Sequence, residues 1–299
     1  MNYTSKLVKG KNNNKCLVLA SPKKTSFAKI FLNQGASLQE LKLKGEELIK
    51  DMYPLTYNNS YASSILFPFA NRIKDGSYQF NGITYKFYIN EKELNNALHG
   101  LVFNKTFEVL DISTTDTFAT VKLKYNEERV CKGFPFTYSI FLEYLLTDNT
   151  LDVNVEIINT DTKMFPFTLG WHPYFFSEDL SISTILFDAK KKLKLDDRNI
   201  AQELIINEQS TGFKINNQFL DDCFILDSNQ VIFKTPRYNL TFNSTEDQSF
   251  LQLYTPPHKN TIAIEPTTGV SDSFNNSIGL KVLKPNTSYH INWKLKIDN

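Results

Sequence analysis

Nine consecutive residues, Tyr289-His290-Ile291-Asn292-Trp293-Lys294-Leu295-Lys296-Ile297, alternate large apolar side chains with polar ones. Thr120-Val121-Lys122-Leu123-Lys124-Tyr125 and Leu151-Asp152-Val153-Asn154-Val155-Glu156-Ile157 follow the same rule. Successive side chains of a strand point to opposite faces, so a period of two means one buried face and one wet face, the habit of antiparallel sheets. Weaker signals of the same kind recur at Leu17 to Leu19, Phe27 to Leu32, Leu38 to Leu43, Ile83 to Ile89, Phe107 to Ile112, Tyr138 to Leu145 and Thr261 to Glu265. Turn clusters such as Lys74-Asp75-Gly76-Ser77, Thr147-Asp148-Asn149-Thr150 and Asn159-Thr160-Asp161 separate them. No stretch of fifteen residues carries a helical face, and the helix candidates are short, as around Ser60 to Leu66. The pattern predicts an all-β fold, a large antiparallel β-sandwich with few short helices. Without a Pro/Gly/Ser linker, a fixed-period repeat or a low-complexity tract, residues 1–299 read as a single domain.

Charge narrows the function classes. Lys plus Arg is 33 and Asp plus Glu is 32, for a net charge of +1. A nucleic-acid protein or a polybasic membrane-surface binder would carry a basic excess, so neither is expected. The run Lys190-Lys191-Lys192-Leu193-Lys194 is followed by Asp196 and Asp197 and reads as a solvated strand face. Cys16, Cys131 and Cys223 are odd in number and widely spaced, which suits neither a disulfide framework nor a Cys-based zinc site. The Asn-rich start lacks the apolar run of about 7–15 residues of a secretory signal, and no segment approaches the ~20 apolar residues of a membrane span. A cytoplasmic protein is the expectation.

Chemistry concentrates in a few islands. His99 lies in Ala97-Leu98-His99-Gly100, and His172 in Gly170-Trp171-His172-Pro173-Tyr174-Phe175-Phe176. Pro173 biases His172 toward extended backbone, and an imidazole with a pKa of about 6.5 can give or take a proton at neutral pH. Structural and catalytic roles are both compatible with these two. No metal spacing such as His-x-x-x-His occurs, and His258 and His290 read as loop and strand-face residues. In Thr261-Ile262-Ala263-Ile264-Glu265-Pro266 a strand puts Ile262 and Ile264 on one face and Glu265 on the other, beside the small Ala263. That carboxylate points either into a cavity or into solvent. Arg72, one of four arginines, lies among aromatics in Phe67-Pro68-Phe69-Ala70-Asn71-Arg72-Ile73. Its planar fork suits either an oxygen-rich ligand or a structural carboxylate. Of the pair Asp221-Asp222, one could cap a turn and the other hold ligand hydroxyls.

In order and spacing these islands resemble the aldose 1-epimerase (galactose mutarotase) family. The match rests on Asn71-Arg72-Ile73, Gly76, Asn81-Gly82, Leu98-His99-Gly100, Trp171-His172-Pro173-Tyr174-Phe175 and Asp221-x-x-Phe224. It continues through Tyr254-Thr255-Pro256, Ile264-Glu265-Pro266-Thr267-Thr268 and Ser271-Asp272-Ser273-Phe274-Asn275, and so covers most of the chain. The resemblance implies a galactose mutarotase-like supersandwich with a sugar site on the concave face of one sheet. It further implies interconversion of the α and β anomers of a free aldohexose such as glucose or galactose, without cofactor or metal. In that family the residue matching Glu265 is the general base and the one matching His172 the general acid, while Arg72, His99, Asp221 and Asn71 match sugar-orienting positions. Aligned through Phe224, Asp221 takes that role; a one-residue slip would give it to Asp222. Where many members carry further glycines after His-Gly, this chain reads Leu101-Val102-Phe103-Asn104-Lys105, which bears on pocket shape.

An ionised Glu265 and a protonated His172, each favouring the other's charge, would give a bell-shaped pH profile with a carboxylate acid limb and an imidazole alkaline limb. Trp171, Tyr174 and Phe175 could face a sugar ring or pack in the core. The alternatives are a hexose-6-phosphate 1-epimerase, for which Lys105 and Lys132 would supply cations, and a non-catalytic sugar-binding protein on the same fold. A glycosidase would need a second carboxylate where the expected partner of Glu265 is a histidine. The partner is a small-molecule sugar, and the chain is read as a monomer or homodimer.

Overall fold

The computed structural model describes residues 1–10, 14–129, 131–247, 249–257 and 260–298. The three alternating stretches all fall in one nine-stranded antiparallel sheet, in strands Ala119–Glu127, Thr150–Asn159 and Ser288–Asp298. The last two are neighbours, with Val153 opposite Trp293 and Val155 opposite Ile291. Burial follows the sequence period: Leu151, Val153, Val155 and Ile157 are buried, and the residues between them are half-exposed. The basic run behaves as a solvated strand, Lys191–Leu195, with Lys194 paired to Glu203 and Lys192 to Asp222.

A second sheet places Ala201–Ile206, Lys191–Leu195, Asp221–Ile225, Phe250–Tyr254, Thr261–Thr267, Gly170–Trp171 and Ile65–Leu66 side by side, with Tyr174–Phe176 also paired to Thr261–Thr267. The two sheets share a hydrophobic core that includes Leu251, Leu253, Ile262 and Ile264 from this sheet and Val153, Ile291 and Leu295 from the nine-stranded one. Trp171 and Trp293 stack across that interior with centroids 5.9 Å apart, a contact worth roughly 0.5–1.5 kcal/mol beyond the area it buries. A five-stranded sheet from Thr4–Lys9 to Glu46–Ile49 adds Leu17, Leu19 and Ile30 to the same core. The architecture is the large antiparallel β-sandwich with few short helices that the alternation predicted.

One expectation changes. No helix spans Ser60 to Leu66. A single helical turn, Tyr57–Ser60, reaches only the first residue of that segment, and Ile65–Leu66 is a strand paired with Gly170–Trp171. Tyr61 ends the turn with a left-handed φ of 51°, and burial of Ile65 and Leu66 at the sheet edge beside Gly170–Trp171 outweighs local helix preference. Of the two alternatives left open for Trp171, Tyr174 and Phe175, Trp171 and Phe175 take the core one, fully buried in the sandwich interior, while Tyr174 lies on the opposite face. His290 is on an exposed strand face as read, beside Glu156 at 3.4 Å, and His258 lies outside the described residues. Among the described residues no helix is long and apolar enough to cross a membrane.

Candidate active site

The face of the second sheet that points away from the sandwich core carries a polar row between two apolar patches. Strand register sets Cys223 opposite Gln252 and Gln252 opposite Glu265. On one side lie Leu193, Ala201, Phe250 and Val270; on the other lie Met52, Ala62, Tyr174 and Ala263. Glu265 therefore occupies a central strand buried along its whole length, and only 3% of it is exposed. As the alternation required, Ile262 and Ile264 serve the core while Ala263 and Glu265 face the other way.

His172 reaches the same place from the turn between Gly170–Trp171 and Tyr174–Phe176. Its backbone is pinned on both sides, its N–H donating to the Ser64 carbonyl at 3.1 Å and its carbonyl accepting from Ser63 at 2.7 Å. The ring stacks on Tyr174 at 4.9 Å and meets the edge of His99 at 5.1 Å. These contacts set Nε2 3.3 Å from Oε1 of Glu265, with both side chains about 5% exposed.

His99 sits at φ +62° before Gly100 at φ +71°. Its N–H donates to the Asn71 carbonyl at 2.9 Å, and Tyr61 supports the ring at 4.8 Å. Asn71 is itself left-handed, φ +59°, a conformation asparagine tolerates better than most residues. It turns the chain into the short strand Arg72–Lys74. Arg72 Nη1 donates to Asn71 Oδ1 at 3.1 Å, Asn71 Nδ2 to Gln252 Oε1 at 3.3 Å, and Gln252 Nε2 to Asp221 Oδ1 at 2.7 Å. The structure thus brings His172, Glu265, His99, Asn71, Arg72 and Asp221 into one neighbourhood. It also separates the acidic pair. Asp221 faces this row, whereas Asp222 points to the other face of its strand and pairs with Lys192 at 3.0 Å.

The remaining Arg72 donors answer the ambiguity left by the sequence. Nε lies 3.0 and 2.9 Å from the two Glu91 oxygens and Nη2 lies 2.8 Å from Oε1, so one edge of the guanidinium is held by a structural carboxylate. Its other edge remains toward the row. Glu91 and Gln252 were both missed by sequence reasoning. The alternation in Phe250-Leu251-Gln252-Leu253-Tyr254 does put Gln252 on the face opposite Leu251 and Leu253, but only the cross-strand register sets it beside Glu265. Glu91, in the polar run Asn90-Glu91-Lys92-Glu93, carried no signal at all.

Electrostatics correct one further expectation. Closeness was expected to favour both charged forms of the pair, yet burial dominates. Desolvation, helped by Asp221 and opposed by Arg72, raises the Glu265 carboxyl well above the ordinary carboxylate range. Desolvation pushes His172 down to about 3. His99 is held neutral by burial, with the neighbouring His172 and Arg72 acting in the same direction. Burial also raises Asp221, against the pull of Arg72. The Glu265–His172 pair accordingly holds one proton over a wide pH range and titrates as a unit. Such a pair can take a proton at one point and give one at another a few ångströms away.

Among the described residues no group of three His, Cys, Asp or Glu side chains is placed to hold a metal ion. Lys105, one of the two lysines considered for phosphate, is bound to Glu127 at 2.9 Å, and Lys132 is solvent-exposed.

The family model described as aldose 1-epimerase matches residues 16–296. Among solved structures, a galactose mutarotase-like protein from Clostridium acetobutylicum has a TM-score of 0.87 at 23% identity, over 99% of this chain and 98% of that one. Galactose 1-epimerase from Lactobacillus acidophilus has a TM-score of 0.82 at 17% identity, over 99% and 98% of the two chains. Among curated proteins, the uncharacterized protein YihR of Escherichia coli is 26% identical over 262 residues, 84% of this chain and 83% of its own length. The chain belongs to the aldose 1-epimerase family.

Proposed function

We propose that the protein interconverts the α and β anomers of a free aldohexose, with Glu265 as general base and His172 as general acid. The observation that carries this reading is the buried contact of 3.3 Å between Glu265 Oε1 and His172 Nε2. Mutarotation needs a proton to leave the anomeric hydroxyl while the ring oxygen gains one, and these atoms share one carbon. Two proton-transfer groups a few ångströms apart match that demand, and each contributes about 10²–10⁴-fold.

In the empty site burial favours the neutral pair, with the proton on the carboxyl. Sugar hydroxyls that donate to Glu265 stabilise its carboxylate and move that proton to His172 Nε2. The carboxylate then removes the O1 proton as the imidazolium protonates the ring oxygen. The C1–O5 bond breaks to give the open-chain aldehyde, the C1–C2 bond rotates, and the same transfers in reverse close the ring on either face. Asp221, Arg72, Asn71 and His99 hold the other hydroxyls, and Tyr174 supplies an apolar wall.

A free sugar suits this site better than a phosphorylated one. The charge of Arg72 is compensated by Glu91, and Asp221 and Glu265 add acidic groups to the same pocket. A non-catalytic binder would have no use for a buried acid–base pair that burial strains. Polarimetry on freshly dissolved α-D-glucose and α-D-galactose tests the proposal. Wild type should speed equilibration, and both Glu265→Gln and His172→Ala should lose about 10²-fold or more of the acceleration. Wild type without effect on either sugar would refute it.

A further inference from the structure

Three carboxyl groups compete for one guanidinium at this site. Arg72 acts electrostatically on Glu265, Asp221, His172, His99 and Tyr254, and its Nη1 bond to Asn71 Oδ1 ties it to the polar row. Yet its Nε–Nη2 edge is given to Glu91, a residue outside the polar row. Glu91 is itself held. Its Oε2 accepts from Asn96 Nδ2 at 2.8 Å, and its backbone exchanges two hydrogen bonds of 3.1 Å with Asn96, which is fully buried. Arg198 locks Asn96 in turn, donating from Nη2 to its Oδ1 at 3.0 Å and accepting from its Nδ2 at the backbone carbonyl. A guanidinium has five N–H donors; Glu91 and Asn71 take three, leaving one on Nη1 and one on Nη2.

We propose that Glu91 is a positioning residue for the reaction: by holding the Nε–Nη2 edge of Arg72 it presents the opposite edge to the sugar, and by cancelling the guanidinium charge it keeps Arg72 from pairing with Asp221 or Glu265. This rests on the site assignment made above. Without Glu91, Arg72 still acts on Asp221 and Glu265, the two carboxyls the reaction needs free, and can pair with either. Arg72 paired with Glu265 would hold it ionised and deprive it of the proton it shares with His172. Asp221 is coupled to the same arrangement, since Glu91, Asp222 and Arg72 all act on it. Among the described residues Glu265 also acts on Tyr174, Tyr254 and Cys223, each raised chiefly by burial and so kept neutral.

Side-chain carboxyl ¹³C NMR titration of the sugar-free protein reads this directly and needs no turnover. In Glu91→Gln the Glu265 and Asp221 titrations should move to lower pH by about half a unit or more. Where turnover is present, the kcat/KM profile should slide the same way, and a merely structural loss would lower its height without moving it. Glu91→Asp keeps the charge but shortens the reach, so the titrations should stay in place while KM rises. Should Glu91→Gln fail to fold, Arg72→Gln and the double variant Arg72→Gln/Glu91→Gln replace it. The single change should raise both titrations, and the double change, which leaves no unpaired buried charge, should bring them back toward wild type. Titrations within about 0.2 units of wild type in Glu91→Gln, or no return in the double variant, would reduce Glu91 to a loop anchor. Absence of mutarotation in wild type with these shifts intact would remove the function assigned above and leave the charge relationship standing.

Discussion

His172 Nε2 and Glu265 Oε1 meet at 3.3 Å in a place where burial pushes the imidazole down and the carboxyl up. Their ordinary order of titration is thereby reversed. The acid limb of kcat/KM then reports the second proton entering the pair, below the usual imidazole value of about 6.5, and the alkaline limb reports loss of the shared proton, above the usual carboxyl value of about 4.3. A broad plateau through neutral pH is expected in initial-rate polarimetry. A narrow bell bounded near 4.3 and 6.5 would mean that the pair is solvated and unperturbed.

The same burial carries a stability signature. A carboxyl whose folded pKa is raised contributes stability that is fully present below its unfolded pKa and is lost as pH rises through the folded value. Glu265→Gln has no such loss. The variant should match wild type in urea unfolding near pH 4 and become more stable than it as pH rises above that. Equal denaturation midpoints across pH 4 to 9 would show that Glu265 is not held in the protonated range.

How legible was this in the sequence? The strands of the nine-stranded sheet could be read because each is wet on one side, so burial prints itself as alternation, as in Leu151–Ile157. Thr261–Thr267 is buried on both faces, and its alternation of Ile with Ala and Glu has a different cause, a core on one side and the polar row on the other. Glu265 and His172 stood out because a carboxylate and an imidazole interrupt apolar neighbours. Glu91 could not stand out, since an acid in a polar run looks like any surface residue until the fold brings Arg72 to it. The helix expected around Ser60 to Leu66 failed because local composition holds no record of the pairing between Ile65 and Trp171. Relative burial likewise decided the charge state of the pair, and no spacing rule reports it.

Gly100 should be a sensitive position. Its φ is +71°, and a Cβ there would fall inside the Phe67 carbonyl, which also accepts the Leu101 N–H at 2.7 Å. Gly100→Ala would therefore shift the loop that carries His99, with a KM increase of about tenfold or more where sugar is turned over. Gly82 is the control. Its φ is +77° but nothing lies within 4 Å of a Cβ, so Gly82→Ala should cost about 1 kcal/mol of stability and leave the kinetics alone. Equal kinetic effects of the two changes would show that backbone strain, and not the position of His99, controls binding.

Phosphate tests the charge of the pocket. Hexose 6-phosphate brings a near-dianion to a site whose Arg72 charge is held by Glu91, while Lys105, one of the two lysines considered for phosphate, is held by Glu127. The Lys105 pairing is reinforced, because Tyr125 and the Arg129 backbone N–H also donate to Glu127 and keep it ionised against its own desolvation. At Arg72 or Lys105 a phosphoryl group would have to displace a carboxylate, and at the solvent-exposed Lys132 its ion pair would be weakened by water, so phosphate gains little over neutral hydroxyls. Galactose 6-phosphate should therefore inhibit turnover of galactose with an apparent affinity at least about tenfold weaker than free galactose. Inhibition tighter than that of the free sugar would show that one of these ion pairs opens for phosphate, and loss of that inhibition in Lys105→Ala would identify which one.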